Sequence, residues 1–395
     1  MRTFQHFLMA RALAVSLLAS TAAAQTRFTT LYNFGGTDPV GVSAVGGNVF
    51  ASAWQISGLT DWSCGTISEL QPTGGGSWLE TTLYTFPQDG SEGCYPTAAP
   101  IPGPGGALYG TTLYGGAYGY GVLYEIQPPA APGGAWTESL LYAFNESGGG
   151  TGNPEPLVPG PNGSFYCGLG GGAYGFGALV QLFPPSAPGG SWTETVLYSP
   201  PSFGTGFAPF VVGPGGVVYG TNSGGPIGQY SPPAAPGGSW TETTLYTVPA
   251  SEGLSPNSLT LAGDGTLYGT TLGSNYDYGP GKATVFQLKP PTLAGGTWGF
   301  TVLHDFGTQL NLNSPLILRN GNLYGTAASA TGGQVFELQH PATAGAWTLV
   351  HLYQFTGNQL PGGALVMDKS GGFFGVTAAP YLAPPSGTVY RLATK

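Results

Sequence analysis

A tryptophan returns six times in this chain, at Trp78, Trp136, Trp192, Trp240, Trp298 and Trp347, with spacings of 58, 56, 48, 58 and 49 residues. Around three of them the text is nearly the same: "PPAAPGGAWTESLLYAF" from Pro128, "PPSAPGGSWTETVLYSP" from Pro184 and "PPAAPGGSWTETTLYTV" from Pro232. A period of this size constrains the fold more than any other feature, because each unit must be one supersecondary element that buries its faces against its neighbours. Three further motifs keep step. "LYGTT" at Leu108 has counterparts at Val49, Phe165, Val218, Leu267, Leu323 and Phe373. "GVLYEI" at Gly121 has counterparts at Gly65, Gly177, Ile227, Ala283, Gly333 and Gly387. "LYAF" at Leu141 recurs after the other tryptophans at Leu83, Leu197, Leu245, Leu303 and Leu352.

Each unit therefore reads as four short strands, A to D: an apolar stretch such as "PLVPG" after Pro156, then "LYGTT", then "GxVFEL", then "WTETxLYxF". Apolar and β-branched residues run in sets of four to eight bounded by Gly and Pro, which is a strand signature. With 70 Gly, 36 Pro and only 7% charged residues, long helices are disfavoured, and 13% aromatic residues exclude a disordered chain. The expected fold is all-β, a seven-bladed β-propeller spanning residues 25–395. The last unit has strands A to C but no D, whereas the chain opens with an orphan D-type strand, "TTLYNF" at Thr29–Phe34. The N-terminal strand, residues 28–34, is thus expected to complete the last blade and close the ring, and the tryptophans are expected to pack between blades.

The motif order is loosely similar to that of kelch propellers. More specifically, "G-x-LYGTT…GG…G-x-VFEL-x-P" resembles the gloeo/verruco (GloVer) tandem repeat of exported and surface-anchored bacterial proteins, over Tyr32 to Leu392. The resemblance implies an exported bacterial protein of no established activity. Proteins of that kind often carry a C-terminal anchoring domain, and none is expected here.

Residues 1–24 read as a signal peptide: Arg2 and Arg11 supply positive charge, "ALAVSLLAS" is a short apolar core, and Ala22–Ala24 offer a cleavage site. The expected location is secreted, periplasmic or cell-surface after cleavage near Ala24, with no membrane span. Beyond residue 24 there are seven basic and eighteen acidic residues, a net charge of −11. Such a surface disfavours nucleic acid and anionic membranes as partners. The protein is expected to be monomeric.

Catalytic signatures mostly fail. No Gly-x-Ser-x-Gly elbow and no zinc-type His/Cys spacing occur. His304, His340 and His351 read as drift within the repeat. Arg27, Arg319 and Arg391 fall at unlike places in their units, so an arginine cluster is not expected. Glu138, Glu194 and Glu242 recur in "WTE" on strand D and read as solvated residues of the outer rim, and repetition argues against a unique catalytic pair. No cofactor and no metal site are expected, the oxygen donors at Asn275 and Asp277 being too few for calcium.

In an up-and-down blade the D–A and B–C loops emerge at one end and the A–B and C–D loops at the other. The first end varies from unit to unit and carries Trp54, Trp62, Tyr114, Tyr118, Tyr120, Tyr174, Tyr276 and Tyr278. Variable loops on a rigid scaffold are where binding concentrates. Aromatic faces beside carboxylates suit sugars or an aromatic-rich protein interface. The function expected is non-catalytic recognition of an extracellular polysaccharide or a surface protein through this face. The alternative is a glycosidase or lyase using a carboxylate pair at the channel mouth, with Asp61 and Asp277 as the unrepeated candidates. Of the three cysteines, Cys64 and Cys94 stand on a B–C loop and the adjacent D–A loop and are expected to form a disulfide, leaving Cys167 as a buried thiol.

Overall fold

The structure is a computed structural model that describes residues 26–394, apart from segments 58–60, 146–152, 201–209, 222–225, 236–237, 276–278, 330–331, 357–358 and 379–386 and residues 132, 175, 188, 250, 294, 313 and 344. It is a seven-bladed β-propeller of antiparallel four-stranded blades. Blade 1 shows the order A to D: Asp38–Val45, Asn48–Ser57, Asp61–Gly74 and Ser77–Thr85. Blade 7 holds Leu360–Met367, Phe373–Ala378 and Thr388–Ala393, and its fourth strand is Arg27–Asn33 from the start of the chain. The closing pair runs from Arg27 opposite Ala393 to Asn33 opposite Thr388. Closure in this way gives blade 7 the same four-stranded sheet as the others and covers the strand Thr388–Ala393, which would otherwise be its outer edge.

The repeated letters have repeated tasks. The glycine of "LYGTT" lets the strand C ring lie flat against strand B: a Cβ on Gly110 would come within 2.2 Å of the Tyr124 hydroxyl, and one on Gly375 within 2.4 Å of that of Tyr390. In blade 3 the same place is Cys167, buried as expected, and its partner across the ladder is Val180 instead of a ring. The volume added on one strand is removed on the other. The hydroxyls of "GTT" and its variants pair with neighbours inside the blades, Thr97 with Thr111, Ser258 with Thr270 and Thr377 with Thr388, all at 2.7–2.8 Å. Buried hydroxyls need such partners.

Each tryptophan reaches the strand B aromatic residue of the preceding blade. Trp78 meets Phe374, Trp298 meets Tyr219 and Trp347 meets Tyr268, with ring centroids 5.8, 6.4 and 6.2 Å apart. Trp136, Trp192 and Trp240 join the clusters holding Phe50, Tyr109 and Tyr166. These contacts glue one blade to the next, and the core is accordingly a chain of apolar clusters around the ring.

Glu138 and Glu194 correct the expectation of a solvated rim, being partly buried, whereas Glu242 is exposed as expected. The D-strand tyrosine of one blade faces a fixed position on the D strand of the next: Tyr32 faces Glu80, Tyr84 faces Glu138 and Tyr142 faces Glu194. At that position Glu242 accepts a hydrogen bond from Tyr198 at 2.6 Å. Farther round the ring the position becomes apolar, and Phe300 stacks on Tyr246 at 4.5 Å and Phe28 on Tyr353 at 4.0 Å. Burial, with Glu92 nearby, pushes the Glu138 carboxyl up to about 7, and burial alone does the same for Glu194.

Candidate functional site

The end of the ring bearing the D–A and B–C loops holds an aromatic row across blades 1 and 2. Trp54, at the end of strand B in blade 1, lies 5.0 Å from the Tyr95 ring, and Tyr95 lies 5.9 Å from that of Tyr114, at the end of strand B (Leu108–Tyr114) in blade 2. Tyr114 is 47% exposed, and Tyr118 on the loop beyond it is 59% exposed. Tyr174, on the corresponding loop of blade 3, is also 59% exposed. Blades 2 and 3 thus present open phenol faces at one end, beside the partly exposed Trp54 of blade 1.

Tyr95 is the pivot of the row and was missed in the sequence because it stands outside the repeat motifs. Its backbone is left-handed, with φ 63°. A bulky residue there is strained by an amount on the order of 1–3 kcal/mol, a cost that persists only where the surroundings enforce it. The Cys64–Cys94 disulfide immediately before it ties the B–C hairpin of blade 1 to the strand Cys94–Pro96, as the sequence led us to expect. Gly93, with φ 107°, packs so closely on Thr112 and Val122 that no side chain fits. Cys94 and Pro96 pair with Tyr114 and Thr112. The tyrosine is therefore clamped from both sides of the chain.

Of the other expected residues, Tyr120 is folded back: its carbonyl accepts from the Asn153 amide at 3.1 Å and its ring packs on the apolar cluster between blades 2 and 3. It caps the core rather than facing solvent. Asp61 and Trp62 pair through their backbones with Ser57 and Ile56 in the B–C hairpin of blade 1, and their side chains lie outside the described residues. Tyr276, Asp277 and Tyr278 lie outside them altogether.

The acids near this face are bound up with tyrosines. Tyr84 donates to Glu92, and Tyr246 donates to Glu252 at 2.9 Å, the same pairing in blades 1 and 4. Glu155, at the start of the innermost strand of blade 3, is a carboxylate that sequence reading passed over. Burial raises its pKa, and its carbonyl accepts from Thr111 at 3.1 Å. Among the described residues no group of three His, Cys, Asp or Glu is placed to hold a metal ion, and no helix is long and apolar enough to cross a membrane.

No family model and no curated protein matches the sequence. Solved structures do resemble the fold. YCF48 from Cyanidioschyzon merolae aligns with a TM-score of 0.56 at 12% identity, covering 93% of this chain and 98% of its own. The polysaccharide lyase Uly1 aligns at 0.55 and 12% identity over 90% of each chain, and a PL25 ulvan lyase at 0.53 and 9% over 92% and 95%. The likeness is one of fold. At these identities it carries no residue of any site across.

Proposed function

We propose that this protein is an exported, non-catalytic recognition propeller whose loop-bearing end binds an extracellular polysaccharide. The observation that carries the reading is the clamped row Trp54, Tyr95 and Tyr114, continued by exposed Tyr118. Exposed Tyr114 and Tyr118 beside the disulfide-clamped Tyr95 make a preorganised stacking surface, and preorganisation lowers the entropic cost of binding an extended ligand. Two of the structural neighbours act on polysaccharides, which makes such a ligand compatible with this scaffold. Binding without turnover is favoured because the repeated carboxylates serve tyrosines, blade after blade. The signal peptide read at residues 1–24 and the GloVer-type repeats support export.

The test is co-sedimentation of the chain from Gln25 with insoluble polysaccharides. We expect retention on at least one of them and loss of it in Tyr114→Ala/Tyr118→Ala, with the melting temperature unchanged. Retention equal in the variant sinks the assignment of the face. Release of reducing or unsaturated sugar that disappears in Glu155→Gln, Asp61→Asn or Asp277→Asn favours the glycosidase or lyase reading instead.

A further inference from the structure

At the opposite end of the ring, the charge of the repeat is reversed at the seam where blade 7 meets blade 1. At the third-last place of strand C the other blades carry Glu69, Glu125, Gln181, Gln229, Gln287 and Glu337. Several of these hydrogen-bond the strand B tyrosine beside them: Tyr109 donates to Glu125 at 2.6 Å, Tyr324 to Glu337 at 2.7 Å, and Gln287 to Tyr268 at 3.0 Å. In blade 7 both partners change together. The tyrosine becomes Phe374 and the acid or amide becomes Arg391, whose guanidinium lies 5.8 Å from the Phe374 ring centroid. The charge of the place is inverted.

The turn between strands A and B of blade 7 is built around that arginine. Asp368 accepts from Arg391 Nε and Nη2 at 3.1 and 2.7 Å, and from the Ser370 and Gly372 amides at 2.8 Å each. The Gly371 carbonyl accepts from Arg319 of blade 6 at 3.2 Å and from Thr394 at 2.8 Å. The turn is thus fixed by charged hydrogen bonds, and it holds Lys369 out into solvent. Beside it is a cleft of about 400 Å³ whose polar wall is Arg391, Asp368, Lys369 and Ser370 and whose apolar wall is Trp78, Phe374 and Met367 with the strand A–B turn of blade 1. A smaller recess of about 130 Å³ shares Trp78 and Arg391 and adds Arg27. Three of the seven basic residues beyond position 24, Arg27, Lys369 and Arg391, therefore line one seam of a chain whose net charge is −11. The arginines that look scattered in the sequence are gathered by ring closure, since Arg27 comes from the first strand and Arg391 from the last.

We propose that this seam cleft is a second binding site, distinct from the aromatic row, for an anionic sugar unit bearing a carboxylate or a sulfate ester. The cleft lies within the volume range of small-ligand sites. Trp78 offers a flat face for the ring, and Lys369, Arg27 and the outer edge of Arg391 a positive frame with a single acid, Asp368, already engaged by Arg391 and by the Ser370 hydroxyl at 2.6 Å. The proposal stands independently of the loop-face reading, because it uses the A–B and C–D end of the ring.

Its test is titration calorimetry of the chain from Gln25, at low ionic strength, with four probes: tri-galacturonate, a sulfated chondroitin tetrasaccharide, neutral maltotriose and hexa-glutamate. Saturable binding of the first or second, weakened at least about tenfold in Arg27→Glu/Lys369→Glu and unchanged in Tyr114→Ala/Tyr118→Ala, is the expected result. Which of the two acidic sugars binds assigns carboxylate or sulfate. Both substituted residues are exposed, so equal melting curves check the fold. Binding of neither acidic sugar, binding indifferent to the charge reversal, or hexa-glutamate or maltotriose bound as tightly overturns it. Loss in the tyrosine variant alone would place acidic sugars on the loop face and likewise overturn the seam site.

Discussion

Replacing Glu194 by Gln should make the protein more stable at pH 8 and leave it unchanged at pH 4. Glu194 lies on strand D of blade 3 (Thr193–Tyr198), half-buried against Tyr142 of blade 2. Burial raises its carboxyl from 4.5 to about 7, so the folded state holds a proton that the unfolded state has released over that interval. A group raised in this way contributes stability that is fully present below about pH 4.5 and lost as pH rises through about 7. At roughly 1.4 kcal/mol per pH unit the full shift has a ceiling of about 3 kcal/mol. Partial exposure lets water screen the charge, so about 1–2 kcal/mol is the reasonable size. Gln keeps the shape and never ionises, so it avoids this loss. Thermal melts of both proteins from pH 4 to pH 8 should coincide at the acid end and separate between pH 5 and 7, by roughly 2–4 °C. Tyr142, pushed up to about 12 by burial and then by Glu194, should titrate lower in the variant. Parallel melting curves at every pH, or a less stable variant at pH 8, would refute burial of a proton between the blades.

Other consequences follow from the closure and the packing. Deleting Thr26 to Phe34 removes the strand paired with Thr388–Ala393 and the Phe28 ring stacked on Tyr353 and Tyr390, so the whole ring should melt earlier; an unchanged melting temperature contradicts closure. Breaking Cys64–Cys94 as Ser/Ser opens a link across 30 residues, costing about 3–4 kcal/mol by loop entropy, measurable by denaturant unfolding. The same variant should weaken polysaccharide retention, since it unclamps Tyr95. Gly110→Ala should cost on the order of 1–3 kcal/mol through overlap with Tyr124, whereas Cys167→Ala in blade 3, where Val180 replaces the ring, should cost less; equal losses would refute the compensation between strands.

The strand order, the borrowed fourth strand and the task of the tryptophans were legible because each is written several times, and a motif repeated in phase reports a shared environment. The disulfide was legible because topology puts a B–C loop beside the next D–A loop. What stayed hidden depended on residues one blade away. Glu138 and Glu194 look like exposed strand residues until Tyr84 and Tyr142, more than 50 residues earlier, are laid against them. Arg27 and Arg391 are separated by nearly the whole chain and meet only because the ring closes. A signal for that seam did exist, in the joint departure of Phe374 and Arg391 from the repeat. Tyr95 and Glu155 left none, since both sit in segments that vary between units.

The most direct test of the loop-face assignment is hydrogen–deuterium exchange of the chain from Gln25, with and without a polysaccharide that retains it. The account predicts protection confined to the segments around Trp54, Cys94–Pro96 and Tyr114–Tyr120. Protection elsewhere, with those segments exchanging as freely as before, would contradict it.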